Sequence, residues 1–443
     1  MSVRCLLGRP SAWVLIATLG LAATPGLVRA QTGADASDRD AYPLLEPGRG
    51  QRDPARGVPV RERSRPDYDP IGDLIGAFTV NSQATAKVSY DTNVFRETNG
   101  RDDVIGDLLL SAQAKSNWSR NALVAEAFVG ASKQAQYSEA GNSTYGLSLQ
   151  GRLDGGIGEA VTVDTSFERL AQDRIAVGQV LSTQEPTIYN RSQIGVTGRR
   201  AWGPLGVQLS ANAAKYDYRD TTSLDGAPLD QQFRDYALGQ VGLDVAYGTD
   251  PGRAFFMSVA GENREYRLHR PGSVNRDQQG YEILAGVRSE ITPLIRGQLG
   301  IGYLHADFEE PGVKTRDVVS FDTRLSYLVT ELTTVRVSGR RFMQNIDIPT
   351  ATAVLVTRVA AGVDHELYRN VILSADFRHD EGDFEGVDGN SKVNFVELGA
   401  IWLIDRHYRV QANLTGSQRR SESLDTRRSI DAVVGSVSVT YRR

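Results

Sequence analysis

The chain has one cysteine in 443 residues, and that residue, Cys5, lies ahead of the first apolar run. A chain processed after that run would carry no thiol, and so no disulfide, no Cys-ligated metal and no cysteine nucleophile. Histidine is nearly as scarce. His269, His305, His365, His379 and His407 are scattered, with no metal-ligand spacing and no neighbouring nucleophile motif. There is no basic tract, and a net charge of -4 spread along the chain excludes a nucleic-acid footprint. After residue 30 no stretch is apolar enough for a membrane helix, and mean hydropathy is -0.33. These absences predict no enzyme, no cofactor and no metal site. The acidic stretch Asp380–Asn390 misses the spacing of a calcium loop, and Gly155-Gly156-Ile157-Gly158 lacks the strand–helix context of a phosphate loop.

The one long apolar run opens the chain. Arg4 and Arg9 precede Trp13–Ala23, Pro25 and Gly26 break the run, and Val28-Arg29-Ala30 supplies small residues for a peptidase. This pattern predicts a secretory signal over residues 1–30. Residues 31–75 form a different segment, charged and rich in Pro and Gly, with no hydrophobic period. Its composition predicts a disordered periplasmic extension. Such an extension serves either as a spacer, or as a tether to a periplasmic partner or a short plug.

From Phe78 onward, alternating apolar and polar stretches recur, as in Val335–Arg340, Ser320–Tyr327 and Tyr408–Thr415. Successive side chains of a strand face opposite ways, so each stretch has one apolar and one polar face. Short connections (Asn117–Asn121, Gly155–Gly158, Ala201–Gly206, Gly248–Arg253, Ile291–Leu294, Val329–Leu332, Leu367–Asn370 and Ile404–His407) take turns with longer polar ones. The polar ones fall near 96–103, 138–142, 173–186, 219–231, 268–278, 309–317, 345–351, 380–391 and 419–428, and all but 138–142 and 345–351 are longer than the turns. Tight turns at one rim and long loops at the other are the layout of an outer-membrane barrel. Residues 76–443 are therefore predicted to form an all-β, antiparallel up-and-down transmembrane barrel of about 18 strands, with short periplasmic turns and longer outside loops.

The two faces of the strands assign the surroundings. Leu108, Leu110, Val129, Leu147, Leu209, Val337 and Leu398 are expected to face lipid. Charges on the alternate positions would line a wet lumen, because an arginine on the lipid face at mid-depth costs roughly 2–4 kcal/mol. The candidate lumen-lining charges are Arg324, Arg336, Arg340, Asp322, Arg358, Arg288 and Glu282. They serve either as scaffolding paired across neighbouring strands or, at Arg324, Arg336 and Arg340, as a basic stripe attracting anions. Trp118, Trp202, Tyr247, Tyr327, Tyr368, Trp402, Tyr408 and Tyr441 gather beside the short turns, as an interfacial girdle would.

The junction Arg65-Pro66-Asp67-Tyr68-Asp69-Pro70-Ile71-Gly72, with Tyr90-Asp91-Thr92-Asn93-Val94-Phe95 at the end of the first strand, resembles the β-barrel porin 2 family of bacterial outer-membrane proteins. The resemblance implies a multi-pass barrel in the Gram-negative outer membrane, in contact with its lipid. It also implies an association with capsule or exopolysaccharide production, with periplasmic export components met through residues 31–75. Two functions stay open: an accessory or conduit in surface-polysaccharide export, and a passive porin for small hydrophilic solutes.

Overall fold

The computed structural model describes residues 58–443 except 157, 180, 251–252, 270–272, 293 and 424–425. The expected signal over 1–30, and residues 31–57 of the extension, lie outside the described residues.

Eighteen strands form the wall: β1 (Phe78–Asp91), β2 (Asp103–Ser116), β3 (Ala122–Gln134), β4 (Asn142–Asp154), β5 (Ala160–Ala171), β6 (Ile188–Trp202), β7 (Leu205–Tyr218), β8 (Tyr236–Asp250), β9 (Arg253–Tyr266), β10 (Gln278–Thr292), β11 (Ile295–Phe308), β12 (Arg316–Thr330), β13 (Thr333–Gln344), β14 (Ala353–Tyr368), β15 (Val371–Glu385), β16 (Gly389–Leu403), β17 (Tyr408–Ser423) and β18 (Thr426–Arg442). Each pairs antiparallel with its chain neighbours. The first and last close the sheet through Gln83↔Arg442 to Asp91↔Val434. Closure removes both sheet edges, so the backbone groups of the wall are satisfied within it.

The short turns gather at one rim, where the hairpin from Trp202 to Leu205 is representative. Gly203 takes φ 56°, which places a glycine at the first central position of a two-residue turn, as the twist of the strands favours. At the other rim, two connections expected to be long are not. Strands β15 and β16 run on to Glu385 and from Gly389, and β17 and β18 run to Ser423 and from Thr426. The polar windows 380–391 and 419–428 are therefore mostly strand: their buried positions include polar residues such as Asp380, Ser391, Arg419 and Ser421, so they lose the apolar alternation without losing their pairing.

Alternation sorts the side chains as expected. Leu108, Leu110, Val129, Leu147, Leu209, Val337 and Leu398 are exposed on the outer face, and so is every aromatic assigned to the short-turn girdle. A second girdle lies towards the long loops, where Tyr90, Tyr145, Phe167, Tyr281 and Tyr303 are exposed. Tyr303 pairs with Val319, and Tyr327 lies further down that strand. From Val319 to Tyr327 a strand runs roughly 27 Å at ~3.4 Å per residue. A tilt of about 40° leaves roughly 20 Å of height, close to the ~25 Å apolar band of such barrels.

Pairing between β12 and β13 stops at Asp322↔Arg340 on the long-loop side. Past Gln344 the chain leaves the wall and turns into the lumen.

Candidate functional site

Three stretches of the chain occupy the lumen, one from the short-turn rim and two from the long-loop rim. At the short-turn rim the segment before the barrel is docked against the inner wall. Val60–Glu62 forms a single 3-10 turn, with Val60 fully buried and its N–H donating to Thr334 Oγ1 at 3.1 Å. Arg61 Nε lies 2.7 Å from Asp364 and its Nη2 3.2 Å from Asp376. Arg63 and Arg65 both reach Glu366, each at 2.9 Å. Backbone contacts extend the dock: Arg65 Nε donates to the Arg369 carbonyl at 3.2 Å, and Arg406 Nε to the Pro66 carbonyl at 2.9 Å. The short strand Asp73–Ile75 then pairs with Phe78–Val80 and leads into β1.

The expectation of disorder over 31–75 is thus corrected for residues 58–75. The composition rule counts only local apolar surface, whereas this segment is ordered by acids some 300 positions further along the chain. Asp364 and Glu366 were not among the sequence candidates. The signal was present, because Val363 faces outward and the alternation turns both acids inward.

At the long-loop rim, residues 172–187 and 345–352 fold inward and meet. Ile175 and Val177 of the first loop and Ile346 and Ile348 of the second are buried together against Val354, Val356, Phe384, Val393 and Ile430 of the wall. Each such side chain, once removed from water, contributes about 1.5–3 kcal/mol. Gly178 makes the contact possible, since a Cβ there would collide with the Asn345 carbonyl oxygen. The loops are also bonded to each other: Asp347 N–H donates to the Gly178 carbonyl at 2.9 Å, and Asp347 Oδ2 accepts from Leu181 N–H at 2.8 Å.

A loop inside a barrel must find partners for its backbone carbonyls, and arginines supply them. Arg276 donates to the carbonyls of Ile346 (3.0 Å) and Ile348, and Arg174 to those of Thr183 (2.8 Å) and Gln184 (2.7 Å). Arg419, from β17, reaches the carbonyls of Arg174 (2.8 Å) and Gln179. Arg234 ties the 219–235 connection to Asn345 at 3.1 Å and to Gln172 at 2.9 Å. Burial pushes the Arg276 guanidinium down to about 10 and that of Arg174 to about 9. Both stay protonated at neutral pH, so these cations bind the loops as charged donors.

The sequence candidates occupy the strand positions that alternate with the exposed apolar ones, and acids accompany most of the arginines. Arg324 pairs with Asp322 at 2.8 Å, Arg358 with Asp380 at 2.7 Å, and Arg288 with Asp244 at 3.7 Å. Glu282 accepts from Ser320. Arg336 bridges Asp364 and Asp376, at 2.7 Å each, and so shares both aspartates with Arg61. Arg340 is in register with Asp322 and lies over the Phe342 ring at 5.2 Å. Arg324, Arg336 and Arg340 sit on neighbouring strands, but with counter-charges between them rather than as a bare stripe.

Among the described residues no group of His, Cys, Asp and Glu is placed to hold a metal ion. His305, on the outer face, is held between Asp317 at 2.7 Å and Asp307 at 3.0 Å.

Comparison with known proteins agrees with this architecture. The family model described as Putative beta-barrel porin 2 matches residues 65–443. No curated protein sequence matches the chain. Similar solved structures include OccK2 (OpdF) of Pseudomonas aeruginosa in complex with glucuronate, with a TM-score of 0.47, 10% identity and coverage of 82% of this chain and 98% of that one. OccAB3 of Acinetobacter baumannii has a TM-score of 0.44 at 9% identity, covering 83% and 100%. The siderophore receptor PirA of Pseudomonas aeruginosa has 0.42 at 9%, covering 86% and 81%. Likeness at this level is one of barrel shape and says nothing about a solute.

Proposed function

The chain belongs to the Putative beta-barrel porin 2 family, and from that membership we propose that it is an outer-membrane conduit for hydrophilic solutes held shut by its own chain. The observation that carries this reading is the double occupation of the lumen. Loops 172–187 and 345–352 meet across it near one rim, and residues 58–66 are docked inside the other. Single-channel recording of the intact, folded chain tests the reading: the trace should be closed for most of the time, with brief openings. A steady open current from the intact chain would restore the passive porin.

The finer reading is that the solute is a surface polysaccharide on its way out, which the family resemblance implies. The docked segment supports it, because a handle at the short-turn mouth suits a partner-operated exit better than free diffusion. In this orientation the short turns face the periplasm and the long loops the outside, with the two ends of the barrel on the periplasmic side. Cysteines introduced at Asp225 or Gly386 should then react with an impermeant thiol reagent on intact cells, and one at Gly156 should not. The opposite labelling pattern would invert the barrel.

A further inference from the structure

Along the lumen wall beneath the loops, five tyrosines from four adjacent strands form a continuous stack. Tyr189 stacks on Tyr216 and Tyr218 at centroid distances of 6.1 and 5.4 Å, Tyr216 on Tyr236 at 4.5 Å, and Tyr236 meets Tyr266 at 5.3 Å. All five are buried. Their faces are used by one another and by arginines, with Arg234 over Tyr218 at 4.2 Å and Arg264 over Tyr236 at 5.0 Å. The stack is therefore a rigid wall that offers ring edges and phenolic oxygens to the space beside it. That space is a cavity of about 130 Å³, bounded also by Leu238, Leu304 and Phe342 and by the amides of Gln240, Gln278 and Gln344. A single water needs roughly 10–15 Å³ of such space, so the cavity holds about ten waters or one sugar ring.

Glu262 is the polar hub of this cavity. It accepts from Gln240 at 3.0 Å, from Arg264 at 2.8 Å and from Gln278 at 3.5 Å. The amides of Gln240, Gln278 and Gln344 stand around this carboxylate, and each amide carries donors and an acceptor. A lining that donates and accepts in one place matches a group that does the same, which is a hydroxyl. The lining charges are of both signs, Arg264, Arg340 and Arg341 with Glu262 and Glu282, and Glu262 is the hub, so the cavity is not a bare anion site.

We infer that this cavity is a binding station for one ring of a neutral saccharide, with apolar side chains against its C–H face and the Glu262 cluster on its hydroxyls. The inference rests on the conduit reading and names the class of solute. Saturation-transfer NMR with maltotriose, on the detergent-solubilised full chain and on a variant lacking residues 58–66, is the test. The sugar should receive transfer from the protein, and Glu262→Gln and Tyr236→Phe should each weaken its binding, Glu262→Gln by about tenfold through a lost charged acceptor. Absence of transfer in both proteins means the cavity holds water only and overturns the site. So does transfer that neither substitution changes, or glucuronate binding more tightly than maltotriose. Conductance is measured separately, so a barrel that binds sugar yet never opens would reject the conduit and keep the site.

Discussion

A barrel lacking residues 58–66, and with 174–179 replaced by a Gly-Ser linker, should carry a steady ion current where the intact chain is almost silent. The docked segment and the pair of joined loops lie in series, so opening either alone leaves the other in place and should raise conductance only slightly. Removing the docked segment also takes away Arg61, Arg63 and Arg65 from Asp364, Asp376 and Glu366. Of the arginines that pair with these three acids only Arg336, beside the two aspartates, and Arg369, 3.6 Å from Glu366, then remain, so the vacated dock itself keeps more acid than base. The opened variant should therefore prefer cations, not the anions that a bare arginine stripe would draw. Salt should blunt the preference, because charges are screened over about 8 Å at physiological ionic strength. Planar-bilayer recordings with asymmetric KCl measure both quantities. A double variant with native circular dichroism and no current would sink the idea that these segments close the path.

The second large effect concerns assembly. Leu414 is 50% exposed on the outer face of β17, and the next residue, Thr415, turns inward, where its hydroxyl donates to Glu397 at 3.2 Å. Leu414→Arg should lose roughly 2–4 kcal/mol of stability if the position is mid-membrane. Thr415→Arg should cost little, since Glu397 stands directly opposite in the strand pair. Leu209→Arg, at another outward position, should behave like the first. Unfolding of the three variants in lipid vesicles by urea gives the comparison. Equal tolerance at Leu414 and Thr415 would refute the assignment of faces, whatever the shape of the barrel.

The wall was legible in the sequence because its rule is local. A two-residue period assigns Leu108 and Leu110 to one side, and a turn every twenty or so residues fixes the strand count near 18. Arg324 and Asp322, two positions apart, could be paired on the same grounds. The interior was not legible, because what fills it depends on partners far apart in the chain. Ile175 and Val177 look like stray apolar residues in a polar loop until Ile346, Ile348 and Phe384 arrive from the other half of the barrel. The arginines at 61, 63 and 65 belong to a segment whose composition predicts disorder, and only the fold supplies Asp364 and Glu366. The tyrosines of the stack lie on four strands, and sequence spacing does not tell that register brings Tyr216 opposite Tyr236 and Tyr236 opposite Tyr266.

Sharing Asp364 and Asp376 between Arg61 and Arg336 has an energetic consequence. Breaking a buried ion pair is ordinarily severe, roughly 3–5 kcal/mol, because one charge is left behind without a counter-ion. Here the replacement is already at 2.7 Å from both carboxylates, on the wall itself. When the N-terminal segment departs, the aspartates pass from a joint owner to a resident one, and neither is stranded. At the aspartates, withdrawal and return therefore become a hand-over between two guanidinium groups, while at Glu366 Arg369 stands in at 3.6 Å, which suits a catch worked many times in the life of one molecule.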